Sequence, residues 1–157
     1  MTIIISGLHY FVRRNIFILA NPNSSPVKLL LDTTRGFNAI TSHGQGFIAV
    51  NGGKICNAVI VLPDKLINPW LVAVTSASPV SLRRADFAEL IALKPELVVF
   101  GSGQIFRFPA PTVMSAFAEA RIGFEVMDTP AACRTYTVLM SEGRRVAAAL
   151  LIDGTNN

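Results

Sequence analysis

The sequence predicts an α/β fold, in which helices pack against a largely parallel central sheet and a small antiparallel hairpin forms a further layer. Two observations predict it. In the second half of the chain, segments with helical spacing of apolar residues alternate with short continuous apolar runs, which are typical of buried strands. Earlier in the chain, two runs rich in β-branched and aromatic residues flank Asn51-Gly52, a pair typical of a tight hairpin turn.

The first half of the body is predicted to consist of strands. The Asn51-Gly52 turn joins two strands, and Pro63-Asp64 closes the second and longer of them. The segment "WLVAV", residues 70–74, is predicted to form a third strand. In "SLRRADFAELIALKP" the apolar period becomes helical and Pro95 ends the helix. One face of this helix is predicted to hold Arg83, Phe87, Leu90 and Ile91.

The second half alternates regularly between strands and helices. Strands are predicted at residues 97–100 and 124–127 and in "RVAAALLI" near the end of the chain. A helix begins at Pro111, with Gly123 as its left-handed stop. Another is capped by Thr129, starts at Pro130 and ends near Glu142, before Gly143. This order favours right-handed crossovers and parallel strands.

Composition limits the classes of function. The chain has 157 residues, of which 51% are hydrophobic and 15% charged, against about 25% charged in an ordinary soluble domain. We therefore expect an apolar surface that binds something. The net charge is +4, and Arg13 and Arg14 supply +2 of it, so the remainder forms no basic tract for nucleic acid.

The first 26 residues differ from the body. Arg13 and Arg14 interrupt their apolar runs, and neither run approaches the roughly 18 to 20 apolar residues of a membrane span. We expect an extension strand or a disordered arm, followed by the linker "NPNSSP". Alternatively, translation begins at Val27. On either view, residues 27–157 are predicted to be one α/β domain, and an integral membrane protein is not expected.

Cysteine use predicts a reducing, cytoplasmic setting. Cys56 and Cys133 are the two cysteines, and they form no CxxC or Cys/His spacing for zinc. The motif "GSGQIF" lacks the third glycine of a dinucleotide fingerprint. No metal or cofactor is predicted.

Two loops are the candidate binding site. If residues 97–100 and 124–127 are parallel neighbours, the turn Gly101, Ser102 and Gly103 and the turn Asp128 and Thr129 emerge at the same edge of the sheet, where α/β proteins bind ligands. The glycines allow close approach of a ligand, and the helix that follows offers free N–H groups to a carboxylate or phosphate.

Three side chains of that helix extend the predicted site. Arg134 is suited to binding the same anion, and Tyr136 is expected to pack its ring and hydrogen-bond its hydroxyl. Cys133 is either a nucleophile whose pKa is lowered near the helix start or a small buried thiol. A nucleophile also requires a base. His9 and His43 are the two histidines, and His43 is predicted to lie in a polar turn.

The body resembles a known family. "LPD" at residues 62–64, Trp70, "GSG", "RFP" at residues 107–109 and above all "GFEVMDTPAACRTYTVL" resemble the small Mth-type domain-of-unknown-function family, whose mitochondrial relatives include respiratory complex I assembly factor three. The resemblance implies a three-layer fold on a mixed central sheet and no established enzymatic activity. It also implies a protein partner in a membrane complex and a position peripheral to the inner membrane.

Two hypotheses of function remain open. The first is a non-enzymatic binding or assembly-factor-like protein, which holds its partner with an apolar surface and the pocket beside the glycine loop. The second is a small-molecule or anion-binding enzyme that uses Cys133 and Arg134.

Overall fold

The computed structural model describes residues 36–72 and 82–153 in full and, before residue 36, the backbone of four strands. The chain divides into two compact units, Met1–Arg35 and Gly36–Asn157. The first contains one antiparallel sheet whose strands follow chain order: β1 (Thr2–Ile5), β2 (Leu8–Arg13), β3 (Ile16–Ala20) and β4 (Val27–Leu29).

The second unit begins with a three-stranded antiparallel sheet. Its strands, in the order β5-β6-β7, are β5 (Ile40–Gly44), β6 (Phe47–Val50) and β7 (Gly53–Ile55). Asn51 and Gly52 form the turn between β6 and β7 with φ angles of 51° and 82°. Both angles are positive, as a tight hairpin turn of this kind requires, so the predicted hairpin is confirmed.

The central sheet has five strands and is mixed. Its order is β11-β10-β12-β8-β9, where β10 pairs in parallel with β11 and β12, and β8 pairs antiparallel with β12 and β9. The three parallel strands are those predicted from the apolar runs. The five strands are β8 (Val59–Val61), β9 (Leu66–Ile67), β10 (Leu97–Gly101), β11 (Gly123–Met127) and β12 (Val146–Leu150).

Helices cover both faces of this sheet. They are a 3₁₀ turn (Arg84–Phe87) that continues into α1 (Ala88–Ala92), then α2 (Pro111–Glu119) and α3 (Thr129–Ser141). One core contains Phe87, Phe100 and Phe117, whose rings pack edge to face around Phe87. The other lies between the sheet, α3 and the hairpin sheet, with Tyr136 fully buried. The predicted three-layer α/β fold with a mixed sheet is confirmed.

Two strand predictions were wrong. The long strand after Asn51-Gly52 is two strands, β7 and β8, in different sheets, since residues 56–58 carry the chain from one sheet to the other. Residues 70–72 form no strand, and residues 73 and 74 lie outside the described part. Trp70 instead packs its ring 5.1 Å from Phe87, and its indole N–H donates to the carbonyl of Asp86 at 2.9 Å.

Two helix details were also wrong. The left-handed residue after α2 is Arg121, with φ 57°, whereas Gly123 is the first residue of β11. Arg83 precedes the helix and its side chain is 77% exposed, so it does not share the buried face of Phe87 and Leu90. Gly143, with φ 79°, follows α3 as predicted.

Candidate functional site

The glycine loop and the start of α3 meet at one edge of the central sheet. Because β10 and β11 run in parallel and Gly101 lies opposite Met127, the segments that follow these strands emerge side by side. The backbone N–H of Gly103 donates to Oγ1 of Thr129 at 2.9 Å, and the N–H of Thr129 donates to the carbonyl of Gly103 at 2.8 Å. The predicted convergence of the two loops is confirmed.

The polar groups at this junction bond to one another. Thr129 is buried, and its hydroxyl donates to the carbonyl of Leu151 at 2.6 Å. At Gly101 an added Cβ would lie 2.9 Å from Oγ1 of Thr129, so glycine is needed there for the backbone to approach Thr129 this closely. A ligand-binding role for Gly101, Ser102, Gly103, Asp128 and Thr129 stays a prediction.

Asp128 caps α3. Its Oδ1 accepts a hydrogen bond from the N–H of Ala131 at 2.7 Å, while Thr129 is already the first residue of the helix. The prediction of Thr129 as the cap was wrong, because its hydroxyl is engaged with Gly103 and Leu151. Aspartate is at least as good a helix cap as threonine, and the positive end of the helix dipole stabilises its carboxylate.

Ser102 organises the loop that follows β10. It is 2% exposed, and its Oγ lies 3.0 Å from the carbonyl oxygen of Ile105 and 3.1 Å from that of Met127. The same oxygen accepts from the N–H of Arg107 at 2.9 Å. Pro109 is buried at the far end of the loop. Ser102 therefore holds the start of the loop at the sheet edge, and the chain returns to the buried part of the domain at Pro109.

Between these anchors the chain exposes five consecutive residues, 104–108, called here the apolar loop. Ile105 is 62% exposed, Phe106 48% and Phe108 58%. The two phenylalanine rings pack edge to face at 4.9 Å. Sequence reasoning missed this feature. The available signal was the segment "QIFRF" between Gly103 and Pro109. It holds three large apolar residues and fits the pattern of neither a helix nor a strand.

Cys133 is not placed as a nucleophile. Its side chain is 1% exposed and belongs to the core between α3 and the hairpin sheet. Burial raises the pKa of the thiol to about 12, and the nearby Arg134 guanidinium, which lowers it, does not compensate. Of the two predicted alternatives, the structure agrees with the small buried thiol and not with the lowered pKa, because desolvation outweighs the proximity of the helix start. The thiol stays protonated at neutral pH.

Tyr136 has the packing role that was predicted. It is fully buried, and its hydroxyl donates to the carbonyl of Asn38 at 2.7 Å, which ties α3 to the segment before the hairpin sheet. Burial raises the pKa of the phenol above its ordinary value.

Arg134 lies on the exposed side of α3, beside an open groove that faces β5. His43 lines the same groove. It is a residue of β5, and the turn itself is formed by Gln45 and Gly46, so its predicted place in the turn was wrong. The fold therefore brings an imidazole to the same groove as Cys133 and Arg134, which the sequence alone did not indicate.

Within the described ranges, no group of three or more metal-binding side chains converges. Of the helices described there, none is long and apolar enough to cross a membrane.

Residues 40–151 match the model of a protein family described as "Protein of unknown function (DUF498/DUF598)". The chain belongs to this family. The match covers the hairpin sheet, the central sheet and all three helices, so the junction of Gly103 and Thr129 and the apolar loop lie within the family domain.

Relatives in sequence and structure agree with this assignment. The chain is 32% identical over 111 residues to NADH dehydrogenase [ubiquinone] 1 alpha subcomplex assembly factor 3 of Xenopus tropicalis, a match that covers 71% of this chain and 58% of the frog protein. The chain thus spans a little over half of that relative. An NMR structure from Xanthomonas campestris has a TM-score of 0.69 and 32% identity, covering 83% of this chain and 96% of that one.

A Bordetella pertussis protein described as a Mth938-like domain has a TM-score of 0.65 and 29% identity, with 82% of this chain and 94% of that chain covered. The family resemblance inferred from the motif around residues 123–139 is confirmed.

Proposed function

We propose that this chain is a non-enzymatic, assembly-factor-like protein that binds a protein partner through the apolar loop, residues 104–108. The observation that carries the proposal is the exposure of three large apolar side chains on a loop that Ser102 holds by hydrogen bonds. Single exposed apolar residues are ordinary in soluble proteins, whereas a contiguous apolar patch marks an interaction surface.

The conformation of the apolar loop favours binding. Ser102 bonds to the backbone of Ile105 and Arg107, so the loop is held in place before a partner arrives. A pre-ordered loop loses less conformational entropy on association than a flexible one. Phenylalanine side chains bury a large area at low entropic cost, and aromatic residues are enriched in the centres of interfaces.

The kind of partner is proposed from the relatives. The frog relative is named as an assembly factor of NADH dehydrogenase, which makes a subunit or assembly intermediate of a membrane-bound respiratory complex the proposed partner here. A place in the cytoplasm is proposed because Cys56 and Cys133 are free thiols, and a position peripheral to the inner membrane is proposed from the family resemblance. Because the chain spans 58% of that relative, the proposal concerns the domain the two proteins share.

Copurification after crosslinking tests the proposal. The tagged full chain is recovered from membrane and cytosolic fractions and compared with a Phe106→Ser/Phe108→Ser variant. Leu66→Ser is the matched control, because Leu66 is 38% exposed but lies on β9, away from both the apolar loop and α3. We expect a defined partner from the membrane fraction with the wild type and the control, and its loss with the loop variant.

Two results would contradict the proposal. One is a wild-type chain recovered from both fractions without a crosslinked partner. The other is equal recovery of the partner with the loop variant and the control. Binding of the purified wild-type protein to lipid vesicles, lost in the loop variant, would also overturn the protein-partner assignment, since exposed phenylalanine and arginine side chains also suit a membrane interface.

A further inference from the structure

We propose that the groove between β5 and α3 binds an extended, acidic segment of a protein partner. This inference rests on the proposed partner-binding function and adds a second contact surface to it. The groove has a volume of about 600 Å³ and is open to solvent. Four residues of β5 and four of α3 line it: Ile40, Thr41, Ser42, His43, Cys133, Arg134, Thr137 and Val138.

The charges of the groove favour an acidic partner. Arg134 contributes a positive charge, His43 adds an imidazole, and neither aspartate nor glutamate is among the eight described lining residues. Asp128, whose charge acts on Cys133, is engaged as the helix cap by the N–H of Ala131. A carboxylate brought into the groove therefore meets donors of the complementary kind.

Arg134 differs from the other arginines of the domain that line grooves. Arg84 pairs with Glu119 at 2.6 Å, Arg144 with Glu96 at 3.6 Å and Arg145 with Asp64 at 3.8 Å. Over residues 36–72 and 82–153, no carboxylate lies within 4.0 Å of Arg134. Within the same residues its guanidinium donates no hydrogen bond, and its five N–H groups form a fork that matches a carboxylate.

The hydroxyl groups in the groove differ in whether they already have hydrogen-bond partners. Thr41 Oγ1 lies 3.3 Å from the carbonyl oxygen of Ala49 and accepts from Gly52, while Thr137 Oγ1 donates to the carbonyl of Cys133 at 2.9 Å. Ser42 is exposed and, within the described ranges, makes no side-chain hydrogen bond. Arg134, His43 and Ser42 are therefore the polar side chains available to a partner.

The backbone of β5 favours an extended segment. β5 is an edge strand of the hairpin sheet and, among the described strands, pairs only with β6. Gly44 lies opposite Phe47 across the two-residue turn, and His43 lies opposite Ile48. Because hydrogen-bonded and non-hydrogen-bonded pairs alternate along an antiparallel ladder, the N–H and C=O of His43 point away from β6. No backbone partner of His43 on that side lies among the described residues, so an added strand can pair there.

The shape of the groove and the geometry of β5 both favour an extended peptide segment. The register shift between Ile40 and Ser42 restricts regular strand addition to residues 42–44, so backbone pairing alone is short. Carboxylates on the added segment then supply the remaining contacts at Arg134. A small metabolite is usually enclosed on most sides, which this open groove does not provide.

Fluorescence anisotropy with a labelled peptide tests the inference. The probe is a fluorescein-labelled hexapeptide that alternates glutamate with threonine or valine, and the reference probe has lysine in place of glutamate. The full chain is compared with Arg134→Gln and with Arg121→Gln. Arg121 is an exposed arginine away from the groove, so its variant removes the same charge.

We expect the acidic peptide to bind the wild type, the lysine peptide not to bind, and Arg134→Gln to weaken binding about two- to fivefold, as for an exposed ion pair. Arg121→Gln should leave the affinity unchanged. The inference is overturned if the acidic peptide does not bind, or if both variants weaken binding equally. It is also overturned if free glutamate or inorganic phosphate binds as tightly as the peptide.

The variant Phe106→Ser/Phe108→Ser separates the two proposals. It should keep full affinity for the acidic peptide, because the apolar loop does not line the groove. Loss of copurification with that variant together with absent peptide binding would remove the groove inference and leave the proposed function standing. Binding of the acidic peptide together with unchanged copurification would remove the proposed function of the apolar loop and leave the groove inference standing.

Discussion

Gly103 and Thr129, 26 residues apart in the chain, exchange two hydrogen bonds, one at 2.9 Å to the threonine hydroxyl and one at 2.8 Å to the glycine carbonyl. The same hydroxyl donates to Leu151 at 2.6 Å. Three segments, the one after β10, the first turn of α3 and the one after β12, are thereby joined at one point. This junction fixes the base of the apolar loop, and its stability can be measured directly.

Replacement of the threonine hydroxyl should weaken the junction. Thr129→Val leaves the N–H of Gly103 and the carbonyl of Leu151 buried without partners, so we expect a loss of about 1 to 3 kcal/mol in the free energy of unfolding. Urea denaturation measures it. Thr129→Ser keeps the hydroxyl and should lose less. Equal losses in the two variants would show that the hydrogen bonds are unimportant.

A side chain at position 103 should destabilise the domain, because it would displace the Asp153 carboxylate. Its φ is 102°, and an added Cβ would lie 2.7 Å from Oδ2 of Asp153, which accepts from Gln104 at 2.8 Å. Gly143 also has a positive φ, 79°, but an added Cβ there meets nothing within 4 Å. We expect Gly143→Ala to lose about 1 to 2 kcal/mol from strain alone. Gly103→Ala should lose more, as measured by urea denaturation; an equal or smaller loss would contradict the close contact.

The two cysteines should differ in reactivity. Cys56 is exposed, whereas Cys133 is 1% exposed and has a pKa raised to about 12 by burial. Under native conditions near neutral pH, we expect a thiol reagent such as iodoacetamide to modify Cys56 readily and Cys133 only after unfolding. Peptide mass spectrometry distinguishes the sites. Rapid native labelling of Cys133 would restore the nucleophile hypothesis.

The buried thiol should make the protein less stable at alkaline pH. The thiol of the unfolded chain ionises at its ordinary pKa of 9.0, whereas burial raises the pKa in the folded chain to about 12. The contribution of the protonated thiol to stability is therefore fully present below about pH 9 and is lost as the pH rises toward about 12. Burial of Tyr136 adds to the fall at the upper end. Urea midpoints between about pH 9 and about pH 11 measure the slope. Cys133→Ala should flatten it; an unchanged slope would contradict the assignment.

Much of the fold was predictable because its signals are local. The apolar runs of β10, β11 and β12 and the helical spacing between them indicated the parallel strands, and parallel pairing then placed Gly103 and Thr129 at one edge. The positive φ values at Asn51 and Gly52 were likewise predictable from residue type.

The remaining features depend on tertiary contacts that leave no local signal. The break at residues 56–58 separates two sheets, although the apolar pattern runs through it almost unchanged. Thr129 and Asp128 are both good caps, and only the hydrogen bonds to Gly103 and Leu151 decide between them. The pKa of Cys133 depends on the hairpin sheet packed over it, which lies far away in sequence.

The apolar loop is proposed as a contact surface for a protein partner. Site-specific photocrosslinking is the sharpest test, with a benzophenone amino acid in place of Phe108 in one protein and of Leu66, which is exposed on β9, in another, each expressed in its native cells. We expect one defined adduct, in the membrane fraction, from position 108 and none from position 66. The absence of an adduct at position 108, or the same adducts at both positions, would contradict it.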